Sequence, residues 1–150
     1  MLYTGRLACA MFVASGVLSM PAQATLGQNV STVASDLARM HAVTHTVSMR
    51  TGYAMHLITL PSGTVVREYV APNGMVFGVA WEGPTLPDMK TLLGAAFDPF
   101  VAANATRPAT PLAVSNSDLV IFSSGHLRAF AGHAYLPQAM PAGVDISVIQ

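Results

Sequence analysis

The stretch YAMHLITLPSGTVVREYVAPNGMVFGVAW, from Tyr53 to Trp81, decides the fold class of this chain. Two turns punctuate it, Leu60-Pro61-Ser62-Gly63-Thr64 and Ala71-Pro72-Asn73-Gly74-Met75, and they share one chemistry. Proline presets φ at the first corner, and glycine takes the left-handed position that closes a three-residue loop. The flanking runs are rich in Val, Ile, Tyr and Phe and read as strands. Two hairpins in series then make a three-stranded antiparallel meander.

Loops of that geometry fix the register. Paired residue numbers sum to 124 in the first hairpin and 146 in the second, which sets His56 opposite Glu68 and Glu68 opposite Gly78. The expected core face carries Tyr53, Met55, Leu57, Val65, Tyr69, Met75, Phe77, Val79 and Trp81, with Arg67 among them. His56, Ile58, Val66, Glu68, Val70, Val76, Gly78 and Ala80 form the other face, smaller and more mixed, as expected of a thinly covered surface.

Downstream, Gly83-Pro84 ends the third strand and Thr85-Leu86-Pro87-Asp88 opens a helix, with Pro87 near its first position and Asp88 in its first turn. Leu86, Met89, Leu92, Leu93 and Phe97 give that helix an apolar stripe, and Pro99 makes it end or restart. Asn104 to Pro111 reads as a linker. A second hairpin is expected from Asp118 to Ser123 and from His126 to Leu136, turning at Ser123-Ser124-Gly125, with a bulge at Gly132. The tail after Pro137 is irregular, with Val144, Ile146 or Ile149 supplying an apolar contact. Upstream, Val33, Leu37 and Met40 predict a short helix capped by Ser31 or Thr32. The fold class is α+β: a single antiparallel sheet, a three-stranded meander plus a second hairpin, with helix packed on one face.

The first 24 residues read as an export signal, with a short leader ending at Arg6, an apolar run from Leu7 to Leu18, and Ala22-Gln23-Ala24 as the cleavage tripeptide. That run is shorter than the roughly 20 residues a spanning helix needs, so no stable membrane span is expected after cleavage. The expected organisation is a signal peptide over 1–24, a leader with a short helix over 25–52, and an α+β domain over 53–150. Cleavage between Ala24 and Thr25 places the chain in the periplasm or the medium.

Removing 24 of the 150 residues leaves 126, enough for one domain. The single cysteine, Cys9, leaves with the signal, which excludes disulfides, thiolate metal sites and cysteine catalysis in the mature chain. Loss of Arg6 leaves six Lys/Arg against seven Asp/Glu, a net charge of −1 with histidines neutral. Such a balance gives no field to attract phosphate, so nucleic acid is not an expected partner. With only 9% charged residues, apolar atoms must lie on the surface, as they do where a partner or ligand docks.

The segments Thr64-Val65-Val66-Arg67-Glu68-Tyr69, Trp81-Glu82-Gly83-Pro84-Thr85-Leu86-Pro87-Asp88, Leu92-Leu93-Gly94, Gly125-His126-Leu127-Arg128-Ala129-Phe130 and Ala134-Tyr135-Leu136-Pro137 occur in a specific order and spacing. Together they resemble a family of small exported Gram-negative proteins known only as a domain of unknown function, over roughly residues 55 to 145. The resemblance implies export and a single domain, and it carries no activity.

Candidate sites are sparse. His41 and His45 have the i, i+4 spacing of a helical ligand pair, but two ligands do not make a structural site, and no metal or other cofactor is expected. His126 and His133 converge only if Gly132 bulges the strand. Ser124-Gly125-His126 sits at an expected hairpin tip and lacks a nucleophile elbow. Methionines 55, 75 and 89 read as core filling. Arg67, on an apolar face, must find an acid, an edge or a ligand, and Arg128 poses the same question with Asp118 nearby. His56 and Glu68 form a cross-strand pair that is structural first and proton-transferring second. The ligand-binding candidates are therefore Arg67, His56, Glu68, His126, Arg128 and His133. The leading function is an exported, non-catalytic binding or assembly domain for another exported protein or a small apolar ligand. The alternative is a small periplasmic hydrolase using histidine and carboxylate.

Overall fold

The structure, a computed structural model, describes residues 26–106 and 111–150. The signal-like segment and the cut after Ala24 lie outside the described residues. Among the described residues seven antiparallel strands form one sheet in the order β1-β2-β3-β4-β7-β6-β5. They are β1 (Thr44–Arg50), β2 (Tyr53–Thr59), β3 (Val65–Val70), β4 (Val76–Gly83), β5 (Leu112–Ser115), β6 (Val120–His126) and β7 (Ala129–Tyr135). The helices are α1 (Val33–Arg39), α2 (Met89–Leu93) and α3 (Phe97–Thr106). The α+β class stands, but the sheet is larger than a meander plus a hairpin. It starts at Thr44, inside the stretch expected to be leader. Thr51-Gly52 turns β1 onto β2, with Gly52 at φ 84.

The first Pro-Gly turn delivers the expected register: His56 pairs with Glu68 and Leu57 with Arg67. The second does not. Val70 pairs with Val76 but Tyr69 pairs with Gly78, so Phe77 is an extra residue and all later pairs sum to 147. Glu68 therefore opposes Val79 rather than Gly78. This bulge sends Val79 and Trp81 to the face that carries Ile58 and Val66, and leaves Phe77 with Tyr69.

The helices cover that first face, which inverts the expected core assignment for β2 and β3. Ile58, Val66, Val79, Trp81, Ile121, Leu92 and Leu93 are all essentially solvent-free in one cluster. The smaller side chains suit the helix face because β4 delivers its indole there, and β6 and β7 add Ile121 and Ala134. The opposite face holds Tyr69, Phe77, Ala80 and Tyr135, and the C-terminal tail closes over it. Ile149 is buried there while Ile146 is 46% exposed. The tail is fastened by Tyr69, whose hydroxyl donates to the Gln150 carbonyl at 3.1 Å.

Several local expectations shift by a few residues. Thr32 holds the N-cap position of α1 without a side-chain cap bond, and Asn29 caps the 3-10 turn before it by accepting from the Ser31 amide. Asp88 is the N-cap of α2, accepting from the amides of Lys90 and Thr91. The chain restarts at Phe97 with Pro99 in the first turn of α3, and that helix runs to Thr106, into the expected linker. The β6–β7 hairpin exists, but its turn is Leu127-Arg128, because His126 still pairs with Ala129. Gly125 lies within the strand, where a β-carbon would stand 2.5 Å from the Ala129 carbonyl oxygen. Gly132 is not a bulge and pairs regularly with Trp81 and Ser123. It is glycine because a β-carbon there would lie 2.4 Å from the indole of Trp81.

Candidate functional site

The β1–β2 hairpin sets Val47 opposite His56, so His45, two residues earlier on the same face, lies diagonal to His56. Their imidazoles meet, with His45 Nε2 and His56 Nδ1 at 3.1 Å and the ring planes tilted by 32°. His45 is exposed on the edge strand, whereas His56 is buried. Burial first, and the neighbouring His45 second, hold the His56 pKa below the usual imidazole range.

Next inward lies Glu68, 1% exposed at the centre of the helix face. Its carboxyl oxygens have no hydrogen-bond partner among the described residues. Burial, and then the charge of Asp36 from α1, push its pKa from 4.5 up to about 8. At neutral pH Glu68 is thus mainly the neutral acid. His56 stands opposite it in register yet directs a ring nitrogen to His45 instead.

Beside these groups a largely apolar groove of about 430 Å³ runs along the turn end of the β1–β2 hairpin, lined by Val47, Met49, Arg50, Tyr53, His56 and Val70. Its outer wall is β1, an edge strand that among the described residues pairs with β2 alone. Val47 and Met49 are 51% and 79% exposed there. The other edge, β5, has four residues and lies against α3. A second groove, of about 590 Å³, lies between the 71–73 turn and Leu136 to Pro141.

Of the six sequence candidates, the fold brings together only His56 and Glu68. Arg67 lies on the opposite face and reaches Glu82 at 3.8 Å, an ion pair open to solvent and worth little. His126 and Arg128 belong to the β6–β7 tip, where Arg128 has φ 66 and Leu127 is 90% exposed. Asp118 precedes the far end of β6, so it does not lie near Arg128. His133 stacks between Phe122 and Tyr135 on the tail-covered face, and burial lowers its pKa. It therefore approaches neither His126 nor Glu68. Ser124 donates to the Ala131 carbonyl at 3.5 Å, ordinary cross-strand bonding. His41 sits after α1 with φ 53 and His45 lies in β1, so the two do not share a helical face.

Sequence reasoning missed the His45–His56 contact and the position of Asp36 above Glu68. The signal for the first was present: Arg50-Thr51-Gly52-Tyr53 is a two-residue hairpin turn, and its register aligns Val47 with His56.

The profile of a protein family described as "Protein of unknown function (DUF2844)" matches residues 22–149. The chain belongs to this family. Its match begins before β1 and ends within the tail, so DUF2844 takes in the whole sheet together with the strap over its second face. No curated protein and no solved structure matches the chain.

Proposed function

We propose that this DUF2844 member is an exported binding or assembly domain of the bacterial envelope that takes up an extended, apolar, uncharged segment of another exported protein along β1. The observation that carries this reading is the open β1 edge, whose exposed apolar side chains continue into the groove beside it. Unpaired backbone donors and acceptors on an edge strand accept an added strand, and pockets for alternate side chains select it. Natural edges are protected by charge, proline or a covering helix; β1 has no proline, its one charged residue is the terminal Arg50, and among the described residues no helix packs closely on it. Export is supported by the Leu7–Leu18 run and Ala22-Gln23-Ala24, which predict a mature chain starting at Thr25 in the periplasm or medium.

Site-specific photocrosslinking in the native host tests the reading. A crosslinker at Met49 is expected to give a discrete protein adduct in the envelope or the medium, starting at Thr25, and one at the equally open Leu127 is not. Val47→Pro, which removes a backbone donor and bends the edge, is expected to abolish that adduct. Equal yields at the two positions, or no protein adduct at 49 because a small apolar molecule alone fills the groove, would overturn it.

A further inference from the structure

His45 and His56 share a geometry that hydrogen bonding to each other does not exhaust. We propose that they form a two-point binding site for a divalent transition-metal ion of the imidazole-seeking class, Cu²⁺ in preference to Zn²⁺. The two nitrogens are 3.1 Å apart. Metal–nitrogen bonds of about 2.0–2.1 Å hold two ligands about 3.3 Å apart at a tetrahedral angle and about 2.9 Å apart at a right angle. The observed separation falls between the two, so both nitrogens reach one cation with a shift of roughly 0.2 Å, the ion sitting beside the N···N line and the rings turning so that both lone pairs face it.

The backbone places the ligands in advance. Both stand on paired strands closed by the short Thr51-Gly52 turn, which leaves little conformational entropy to lose on binding. Access is direct, because His45 is exposed on the edge strand.

Among the described residues no group of three or more His, Cys, Asp or Glu could hold a metal ion. Two protein ligands leave the remaining positions to water or to a donor from solution, which makes the site exchangeable rather than structural. Imidazole donors and the general order of divalent affinities place Cu²⁺ first. The site is independent of the strand-docking reading, since it needs only the β1–β2 hairpin.

Titration of the untagged, processed, metal-stripped chain with CuCl₂ and separately with ZnCl₂ tests the assignment, with electron paramagnetic resonance reporting the copper's nitrogen ligands. One saturable Cu²⁺ equivalent with two imidazole nitrogens is expected, bound more tightly than Zn²⁺. His45→Asn is expected to weaken it at least about tenfold, the scale on which even outer-shell partners act. His41→Asn is expected to leave it unchanged. His45 is exposed, so its replacement does not threaten folding, and circular dichroism checks this. Unaltered Cu²⁺ binding in His45→Asn, or no saturable binding by the parent chain, would overturn the proposal.

Discussion

The two Pro-Gly turns of the meander carry the same chemistry and give different results. At Pro61-Ser62-Gly63 the loop alone sets the pairing, and every pair from Ala54↔Val70 to Thr59↔Val65 follows it. At Pro72-Asn73-Gly74 the loop sets one pair, Val70↔Val76, and Phe77 then steps out of register. Both loops close with their glycines at positive φ, 86 and 83 respectively. The difference therefore arises in the strand and its surroundings. Phe77 packs its ring against Tyr53 and Tyr69 on the tail-covered face, while Trp81 is needed under α2. No unbroken alternation puts residues 77 and 81 on opposite faces, so one extra residue has to be absorbed. Turn chemistry governs a hairpin until a large side chain has a better place to go.

The largest expected effect probes the far side of the bulge. Trp81→Ala empties the site over Gly132 and beneath the helices, and should cost about 3–5 kcal/mol in denaturant unfolding. A loss within the scatter of surface substitutions would place the indole on the wrong face and remove the bulge from the account.

Glu68 stands between the two registers, opposite His56 through the first turn and opposite Val79 through the bulge. With the expected pairing it would have faced Gly78; instead it is enclosed. Below about pH 4.5 the folded and unfolded chains both carry the proton. Between 4.5 and about 8 only the folded chain does, so stability falls as pH rises and levels off above the folded value. The slope in that window is about 1.4 kcal/mol per pH unit. Glu68→Gln should flatten it and exceed the parent by a few kcal/mol at about pH 8. Urea unfolding at several pH values reads this directly, and an unchanged slope in the variant would assign the dependence to another group.

The smallest effect compares the turns themselves. Gly63→Ala meets only Pro84 at 4.0 Å, so its cost is the positive φ alone, about 1–2 kcal/mol. Gly74→Ala carries the same strain and also presses on the Asn29 side chain, 3.2 Å from the added carbon. Gly74→Ala should therefore be the more damaging of the two by thermal unfolding. Equal losses would show that the loops are energetically as alike as their sequences.

Much of this was legible in the chain. The turn residues predicted the first hairpin, the existence of the second, the helix after Gly83, and the opposition of His56 to Glu68. The β-branched Thr44, Thr46 and Val47 signal a strand, but the two-residue turn at Thr51-Gly52 has no proline to mark it, so the pairing of β1 with β2, and with it the partner of His56, was not legible in the same way. Gly125 and Gly132 carried signals whose meaning lay elsewhere, one in a close cross-strand approach and the other beneath an indole. Asp36 gave no local sign of its position, because its neighbour Glu68 lies on a different element far along the chain.

What the sequence determined by itself is therefore whatever local stereochemistry can enforce: which segments extend, where the chain reverses, and the antiparallel α+β class. Only the tertiary structure decided which sheet face takes the helices, where β4 absorbs an extra residue, and which ionisable groups meet. Those outcomes depend on competition among large side chains for two limited interiors, and on groups distant in sequence sharing one low-dielectric space. Neither is a property of any single window of residues.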